Sequence, residues 1–249
     1  MNDLIKQIAE IFAATKNVVA VTGAGISTEA GIPDFRGKDG IYTRLGEGYA
    51  TEMLSISTFY NRPQDFYAFY RQYFRLPKVA PAQAHLELTK MQKSGYLSGI
   101  VTQNVDGLHQ KAGTQNIIAI HGNRNRYICM NERCQTVHDD DYVYDYGEIV
   151  PRCQKCREIL KPDVVLFGEA IKEPVRAWEM IRYAGALLVI GTSLSVYPLA
   201  GLVAEFKDFN PNLIIINKEP TQMDDLAKIK VEAEHTGRFL AELNKLLPA

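Results

Sequence analysis

The fold is decided by the stretch Val18-Val19-Ala20-Val21-Thr22-Gly23-Ala24-Gly25-Ile26-Ser27. Its first four residues form a short apolar run, rich in β-branched side chains, which Thr22 joins to a glycine turn. A buried strand that enters a glycine turn and then a helix is typical of the start of a nucleotide-binding α/β unit. The third glycine of the dinucleotide fingerprint is missing, and no acidic residue about 20 positions later ends a second strand. The turn by itself therefore indicates either backbone N–H groups that face a phosphate or a tight turn without a ligand.

Helical segments and apolar runs alternate along the rest of the chain. Continuous apolar runs, typical of parallel strands covered on both faces, lie at Gly99–Thr102, Ile117–Ile120, Val164–Phe167, Ala186–Ile190 and Leu213–Ile216. Helices are predicted at Asp3–Ala14, Pro81–Lys93, Glu173–Ala184, Leu199–Lys207 and Thr236–Leu247. The alternation predicts an α/β fold whose large domain is a Rossmann-type parallel sheet.

Two segments interrupt this alternation. Residues 37–80 are rich in Tyr and Phe and are predicted to be a helical insertion, whereas residues 122–160 contain little apolar sequence. A segment with so few core residues needs a stabilising crosslink such as a bound metal ion. We therefore expect residues 1–36, 81–121 and 161–249 to form the Rossmann-type domain, and the two insertions to form a smaller zinc-binding and helical domain.

The composition excludes several classes of protein. Hydrophobic residues make up 46% of the chain, charged residues make up 23%, and the formal net charge is −1. This balance gives no general attraction to nucleic acid or to an anionic membrane. The apolar runs are far shorter than a bilayer span, and the amino-terminal segment is predicted to be an amphipathic helix rather than a signal peptide. We expect a cytoplasmic monomer that binds neither nucleic acid nor membranes.

The cysteines point to a metal site. Two close pairs in one short segment contain all the cysteines of the chain: Cys129, Cys134, Cys153 and Cys156. This spacing is typical of a tetrahedral zinc site with four thiolate ligands, which leaves no open position, so the zinc is expected to be structural. Disulfides or a redox-active pair are the alternative, which the cytosolic character disfavours. A zinc ribbon that binds nucleic acid is another, but the acidic run Asp139-Asp140-Asp141 would repel phosphate.

Polar side chains follow four of the predicted strands at their carboxyl ends. They are the segment Thr102–His109, the segment Gly191-Thr192-Ser193, Asn217 and His121. Ligands in open α/β sheets bind at this edge, and polar groups stranded there without partners would be costly. A histidine in such a place, with an ordinary pKa of about 6.5, is a natural general base. The simpler interpretations are a turn capped by Asp106 and a histidine that is only a surface group.

Over nearly its whole length the chain resembles the sirtuin family. The resemblance lies in blocks that follow the family's order: Gly23-Ala24-Gly25-Ile26-Ser27, Gly31-Ile32-Pro33-Asp34-Phe35-Arg36, Thr102–His109, His121-Gly122, Lys161–Glu169 and Gly191–Pro198. The two cysteine pairs stand in their place between the fourth and fifth blocks. So many separate blocks in one order exclude a chance match. The length of the chain resembles that of the small bacterial-type members.

The resemblance implies an NAD-dependent protein lysine deacetylase or deacylase, a transferase that consumes NAD instead of using it as a hydride carrier. The acyl-lysine oxygen attacks the nicotinamide ribose, nicotinamide leaves, and the acyl group ends on ADP-ribose. By the family pattern, His121 is the general base toward the ribose hydroxyls, Asn104 and Asp106 act beside it, and Phe35 shields the ribose from water. The expected contacts with NAD are Ala24, Thr28, Phe35, Arg36, Gln103, Val105, Asp106, His121, Thr192, Ser193 and Asn217.

The same resemblance implies that the peptide substrate adds as a strand in the cleft between the two domains. Its expected contacts are Val165, Phe167, Gly168, Glu169, Val196 and Tyr197, of which the first two line the channel for the acyl-lysine. Sirtuins that prefer acidic acyl groups resemble one another in a Tyr-x-x-Arg motif. Here the comparable place is Tyr67-Ala68-Phe69-Tyr70, with Arg71 one position late. We therefore expect acetyl and other uncharged acyl groups to be preferred.

Three other functions stay open. A protein mono-ADP-ribosyltransferase on the same fold would label protein from NAD without deacylation, and the presence of His121 argues against it. A non-catalytic NAD-sensing or zinc-ribbon module would bind its ligand without releasing nicotinamide. A dehydrogenase is disfavoured by the incomplete glycine fingerprint and would generate the absorbance of a reduced cofactor.

Overall fold

The structure is a computed structural model that describes residues 2–35, 37, 40–75 and 77–248. Its strands are β1 (Val18–Thr22), β2 (Leu97–Thr102), β3 (Ile117–Ala119), β4 (Gly122–Cys129), β5 (Val137–Asp139), β6 (Leu160–Val164), β7 (Ala186–Ile190), β8 (Leu213–Asn217) and β9 (Ile229–Glu232). Its α-helices are α1 (Asn2–Thr15), α2 (Ile41–Leu45), α3 (Glu47–Met53), α4 (Ile56–Asn61), α5 (Pro63–Tyr73), α6 (Gln83–Lys93), α7 (Leu108–Lys111), α8 (Asp140–Asp145), α9 (Pro174–Arg182), α10 (Leu199–Phe209) and α11 (Thr236–Leu246). Short 3₁₀ helices span Ala24–Ala30 and Asp224–Leu226. Within the described ranges, no helix has the length and apolar character needed to cross a membrane.

Six strands form one parallel sheet in the order β3-β2-β1-β7-β8-β9. This is the strand order of a doubly wound Rossmann sheet. β1 pairs with β2 on one side and with β7 on the other, and the chain proceeds outward from β1 in opposite directions. The topological switch point therefore lies between β1 and β7, and the predicted fold class is confirmed.

Helices cover both faces of this sheet. On one face, α1, α6 and α11 contribute buried side chains such as Phe12, Leu88 and Leu240. On the other face, α9 and α10 contribute a second layer that includes Val203 and Phe206. Because both faces are covered, every residue of β1 and β7 is buried. This explains why these strands are continuous apolar runs instead of alternating ones.

A second core lies outside the parallel sheet. β4 pairs antiparallel with β5 on one side and with β6 on the other. Helices α2 to α5 share one hydrophobic cluster with this small sheet, and most of the large side chains in the cluster are aromatic. The Phe66 and Tyr70 rings, for example, are stacked with 5.5 Å between their centroids. Cys129 and Cys153 are buried in the same cluster, so the cysteine pairs are part of the core of this region.

Two segments differ from the sequence prediction. The expected buried strand Val164–Phe167 is absent from the parallel sheet as described. Instead β6 ends at Val164, and its burial alternates because one face only meets the aromatic cluster. The edge strand β9 is not among the predicted strands. Its burial alternates, as that of β6 does, whereas the sequence prediction rests on continuous apolar runs. The domain bounds stay a prediction, and β6 carries the small sheet past the expected bound at residue 160.

Candidate active site

Glycines at the switch point allow the turns after β1 and β7 to touch. A Cβ atom added to Gly23 would lie 2.6 Å from the Thr192 Cβ, and one added to Gly25 would lie 2.9 Å from the Gly191 Cα. Gly191 also has a left-handed backbone with φ of 64°, which favours glycine. The close approach of the two turns is therefore enough to require these glycines. Their contact with a phosphate stays a prediction.

Asn104 and Asp106 lie at the end of β2 and are joined through one hydroxyl. The Asn104 Nδ2 donates to the Gly23 carbonyl at 3.0 Å and to the Ser27 Oγ at 3.2 Å. The Ser27 Oγ donates to the Asp106 Oδ2 at 2.7 Å, and the Leu108 N–H donates to the other carboxylate oxygen at 2.8 Å. Each polar group therefore has a partner that holds it in place at the sheet edge. Ser27 belongs to the glycine turn Gly23–Ser27 but is not among the site residues predicted from sequence.

His121 follows β3 at the same edge. Its Nδ1 lies 3.2 Å from the Gln103 carbonyl oxygen. Because a carbonyl oxygen only accepts hydrogen bonds, Nδ1 carries the proton and the lone pair is on Nε2. Burial lowers the pKa of His121, although the hydrogen bond with Gln103 opposes this shift. The imidazole is therefore neutral near pH 7 and can accept a proton at Nε2.

The side chain of Gln103 connects this histidine to the turn after β7. Its Oε1 accepts a hydrogen bond from the Thr192 Oγ1 at 2.8 Å, and the Thr192 Oγ1 in turn accepts one from the Leu194 N–H at 3.2 Å. The ends of β2, β3 and β7 are thus joined around Gln103. The structure brings together His121, Gln103 and Thr192 as the sequence pattern predicted.

Two buried histidines lie beneath the site and were given little weight from sequence. The Nε2 of His109 lies 2.9 Å from the Thr22 Oγ1, which donates to the Thr102 Oγ1 at 2.8 Å. The Thr102 Oγ1 also accepts from the Asn104 N–H at 3.0 Å. Since the Thr22 proton is used on Thr102, the His109 Nε2 is the donor to Thr22. A buried chain of hydrogen bonds therefore runs from His109 to the backbone of Asn104.

The second buried histidine, His85, contacts the first. The two ring centroids are 4.8 Å apart, and the His85 Nε2 lies 3.5 Å from the Ser27 Oγ. Burial lowers the pKa of His85, while the carboxylate of Asp106 acts in the opposite direction. Burial, with a smaller contribution from His85, lowers the pKa of His109 to about 3. Both rings are neutral at pH 7. The position of His109 within the segment Thr102–His109 was the one signal in the sequence.

The other expected contacts with NAD lie around the same edge or at the border of the small core. Ala24, Ser193 and Asn217 are half-buried, and Thr28 is exposed. Phe35 is half-buried and packs on Tyr42 and Phe74, with centroid distances of 5.5 Å and 6.0 Å, and Val105 also packs on this aromatic cluster. Arg36 lies outside the described residues.

The expected peptide-binding loop follows β6. The Val165 N–H donates to the His121 carbonyl at 2.9 Å, so the loop begins beside the candidate base. The Phe167 N–H donates to the Leu54 carbonyl, and the Ile56 N–H donates to the Phe167 carbonyl, each at 3.0 Å. The Phe167 N–H is thus already bonded within the protein, whereas the Phe167 carbonyl has a second lone pair that could accept a hydrogen bond from a peptide. Gly168 has a φ of 94° at the turn of this loop.

The remaining expected peptide contacts lie on the segment after β7, where Val196 is half-buried and Tyr197 is exposed. Both follow the Gly191–Ser193 turn, which is joined to Gln103 through Thr192. The surfaces expected to flank the peptide therefore both begin at residues beside the candidate base.

The cysteines form one compact cluster. Their four Sγ atoms all lie within 4.8 Å of one another. The Sγ atoms of Cys129 and Cys156 are 3.2 Å apart, and those of Cys134 and Cys153 are 3.8 Å apart. A disulfide requires about 2.05 Å, whereas zinc bound tetrahedrally at about 2.3 Å separates its sulfur ligands by roughly 3.8 Å. The arrangement fits a closed four-thiolate zinc site.

The residues that occupy the place of the acidic-acyl motif have other partners. The Tyr67 hydroxyl donates to the Leu160 carbonyl inside the small core. The Arg71 Nη2 donates to the carbonyls of Val143 and Glu148, each at 2.9 Å. These bonds hold both side chains on the zinc-binding region.

Comparison with known proteins gives concordant results. The family model described as Sir2 family matches residues 23–198. An NAD-dependent protein deacetylase of Caldivirga maquilingensis is 43% identical over 245 residues, which are 97% of this chain and 93% of that protein. An NAD-dependent protein deacylase 2 of Archaeoglobus fulgidus is 38% identical over 237 residues, which are 93% of this chain and 91% of that protein.

Solved structures agree with this result. A solved structure of a Sir2 variant with a deacetylated p53 peptide and an acetyl ADP-ribose has a TM-score of 0.89 and 32% identity, and covers 98% of this chain and 99% of that chain. A solved structure of Sir2 with a p53 peptide and NAD+ has a TM-score of 0.85 and 32% identity, with 97% of each chain covered.

Proposed function

The chain belongs to the Sir2 family, and from that premise we propose how its sheet edge removes acyl groups from protein lysines with NAD as co-substrate. The protein is an NAD-dependent protein lysine deacetylase or deacylase. NAD supplies ADP-ribose as the acceptor of the acyl group and nicotinamide as the leaving group. Proteins or peptides that carry an acyl-lysine are its partners.

The single observation that carries the proposed mechanism is the orientation of His121. Its Nδ1 is held by the Gln103 carbonyl at 3.2 Å, so the lone pair on Nε2 is available as a base. Its lowered pKa, caused by burial, keeps that lone pair unprotonated near neutral pH. We assign His121 as the general base that accepts a proton from a ribose hydroxyl.

Asn104 and Asp106 are assigned to the ribose and carboxamide end of NAD. Their side chains share the Ser27 hydroxyl at 3.2 Å and 2.7 Å, which fixes the distance between an amide and a carboxylate at the sheet edge. Preorganised polar groups of this kind need not reorient when the substrate binds. Phe35, which packs against Tyr42, is assigned to exclude water from the reacting carbon.

The edge fits a dinucleotide as a whole. Polar side chains at the ends of β2, β3 and β7 are joined beside the switch point, which is where doubly wound sheets bind dinucleotides. Ala24, Thr28, Thr192, Ser193 and Asn217 are assigned to the dinucleotide on this basis. The family pattern adds Arg36, Gln103 and Val105.

The peptide is assigned to the cleft between the parallel sheet and the small domain. Val165 and Phe167 are assigned to the acyl-lysine channel, and Gly168, Glu169, Val196 and Tyr197 to the neighbouring peptide backbone. Uncharged acyl groups are the preferred substrates, because Tyr67 and Arg71 are held by carbonyls of the zinc-binding region. The proposed domains are residues 1–36, 81–121 and 161–249 for the large one and the two insertions for the small one, with β6 extending the small sheet to Val164.

The zinc would be structural. Cys129, Cys134, Cys153 and Cys156 supply four ligands and leave no coordination position for a substrate. The metal would join the segments at one end of the small sheet, where β4 ends and β5 and β6 begin, whereas the candidate base lies at the edge of the large sheet. We further propose that the protein works as a cytoplasmic monomer; size-exclusion chromatography tests the monomer.

The test is incubation with NAD and an acetyl-lysine peptide, followed by mass spectrometry of the products. We expect the deacetylated peptide, nicotinamide and O-acetyl-ADP-ribose in equal amounts. Transfer of labelled ADP-ribose to protein without deacetylation would instead support the mono-ADP-ribosyltransferase. A parallel assay with a succinyl peptide should give much slower turnover, and equal rates with both peptides would contradict the assignment of Tyr67 and Arg71.

A further inference from the structure

The loop that follows β6 contains an ion pair that the mechanism above does not use. The Lys161 Nζ lies 2.9 Å from the Glu169 Oε2, and the two side chains are 12% and 28% exposed. An ion pair this sheltered is screened less by salt than one on the open surface. Lys161 is the second residue of β6, and Glu169 lies at the far end of the expected peptide-binding loop.

The same carboxylate oxygen closes the turn of the loop. The Leu166 N–H donates to the Glu169 Oε2 at 2.8 Å, and the Glu169 N–H donates back to the Leu166 carbonyl at 3.0 Å. The residue between them that requires a left-handed backbone is Gly168, with a φ of 94°. The side chain of Glu169 is therefore directed into its own loop.

The ammonium group of Lys161 is also fully used. Besides Glu169, it donates to the Val164 carbonyl at 2.9 Å and approaches the Pro162 carbonyl at 3.4 Å. Three donors thus meet three acceptors, all within residues 162–169. Lys161 therefore links the end of β6 to the turn. Val165, the first residue after β6, donates to the carbonyl of His121.

We infer that the Lys161–Glu169 pair positions the peptide-binding loop and that the side chain of Glu169 does not itself contact the peptide, which leaves the Glu169 backbone for the assigned pairing. The pair holds the Leu166–Glu169 turn in shape before the acyl-lysine peptide arrives, which reduces the ordering that binding would otherwise require. This inference rests on the proposed function. It gives the Glu169 side chain a positioning role and adds Lys161 to the residues that determine peptide affinity.

The pair acts on peptide binding more than on chemistry. Loss of a hydrogen-bonded charge at a half-buried position weakens the conformation that it holds by an amount equivalent to roughly tenfold in an equilibrium. Glu169→Ala and Lys161→Met should therefore each raise the KM for the peptide roughly tenfold. The KM for NAD and kcat should change by less than about twofold, because His121 and the residues around Gln103 keep their partners.

The experiment measures steady-state kinetics with two acetyl-lysine peptides that differ in one flanking residue, basic in one and neutral in the other. If Glu169 acts by positioning, Glu169→Ala raises the KM of both peptides by the same factor. Glu169→Gln should show a smaller rise than Glu169→Ala, because its amide oxygen still accepts from the Leu166 N–H. The matched control is Glu173→Gln, which removes a charge from the exposed pair with Arg176 and should leave both KM values unchanged.

A double variant completes the test. Lys161→Met with Glu169→Ala should raise the KM by less than the product of the two single effects, since both single variants already lose the ion pair. A KM rise confined to the basic peptide would overturn the inference in favour of direct contact, and so would an unchanged KM or fully additive effects. Deacetylation by the wild-type protein is the separate test of the proposed function, so failure of the inference leaves that function standing.

Discussion

The two cores of this molecule are built on different principles. The parallel sheet buries aliphatic strands such as Ala186–Ile190 completely, with helices on both faces. The small domain buries mainly aromatic rings, and the tyrosine hydroxyls of Tyr70 and Tyr127 are buried with them. An aliphatic core of this size is stabilised by the removal of apolar surface from water. The small core adds polar groups and thiols, which need specific partners.

The stability and the chemistry of the protein are divided differently between the two cores. The large sheet needs no ligand to explain its burial, and it carries His121, Asn104 and Asp106 at one edge. The small domain has short antiparallel strands and four clustered thiols. It should therefore depend on a metal, while the large sheet should not.

The largest effect is expected from removing the zinc. Bound structural zinc contributes on the order of 10 kcal/mol to the folding of small domains, so Cys153→Ser or a strong chelator should unfold the small domain and abolish deacylation. Metal analysis and limited proteolysis measure this, with cleavage expected inside residues 122–160 while the parallel sheet stays protected.

A matched control for this prediction is Val137→Ala on the exposed face of the same module, which should retain zinc and activity. Unchanged thermal unfolding of the metal-free protein would contradict the structural role. If the small domain and the parallel sheet unfolded together when zinc is removed, the prediction that only the small domain depends on the metal would be wrong.

His121→Ala should remove the chemistry and leave both cores intact. Loss of a general base costs about 10² to 10⁴ in turnover, so kcat should fall by about 10³ while the melting temperature and NAD binding stay close to wild type. Rapid-quench product analysis and calorimetry measure the two quantities. The exposed histidine variant His235→Gln should keep full activity. A near-native kcat in His121→Ala would exclude the assigned base.

A methyl group should have opposite effects in the two regions. Gly25→Ala places a Cβ 2.9 Å from the Gly191 Cα and should cost about 1–3 kcal/mol of unfolding free energy through overpacking. Gly48→Ala in α3 meets no described atom within 4 Å and should stabilise the protein by about 0.5 kcal/mol. Urea unfolding measures both values. Equal destabilisation by the two changes would show that the contact between the turns after β1 and β7 is not more tightly packed than the surroundings of Gly48 in α3.

The last effect concerns pH and the buried histidines of the large domain. Burial and the neighbouring His85 lower the pKa of His109 to about 3, against about 6.5 in an unfolded chain. Below about pH 6.5 the unfolded chain binds a proton that the folded chain does not, so stability falls as the pH drops toward 3.

From about pH 7.5 to about pH 5, wild type should lose about 2 kcal/mol more unfolding free energy than His109→Gln, which keeps a donor for Thr22 but does not titrate. Urea unfolding at the two pH values measures the loss. His235→Gln is the exposed control and should retain the wild-type dependence. If His109→Gln lost as much unfolding free energy between the two pH values as wild type, His109 would not be the cause of the pH dependence.

The predictable parts of the site are those on regular elements. Thr102–His109, His121 and Gly191–Ser193 follow apolar runs, and parallel strands bring their carboxyl ends to one edge, so their meeting followed from pattern alone. The cysteine cluster followed from spacing, because four thiols in two close pairs suit one tetrahedral ion. The roles of individual residues toward NAD and the peptide came from the family resemblance and stay predictions.

What escaped prediction depends on contacts between distant segments. Val164–Phe167 resembles a buried strand in composition, yet it becomes the end of β6 and a loop because β4 pairs with it antiparallel. Ser27 bridges Asn104 and Asp106, and Glu169 turns back onto Lys161, through side-chain orientations that no local pattern encodes.

The sequence by itself determined the α/β sheet, the edge that carries the site and the four-thiol cluster, because periodicity, strand ends and cysteine spacing are local properties of the chain. The tertiary structure alone decided which nitrogen of His121 holds a proton, which glycines touch and which charges are paired. Those features depend on the burial and distance of groups far apart in sequence, and burial and distance exist only once the chain has packed.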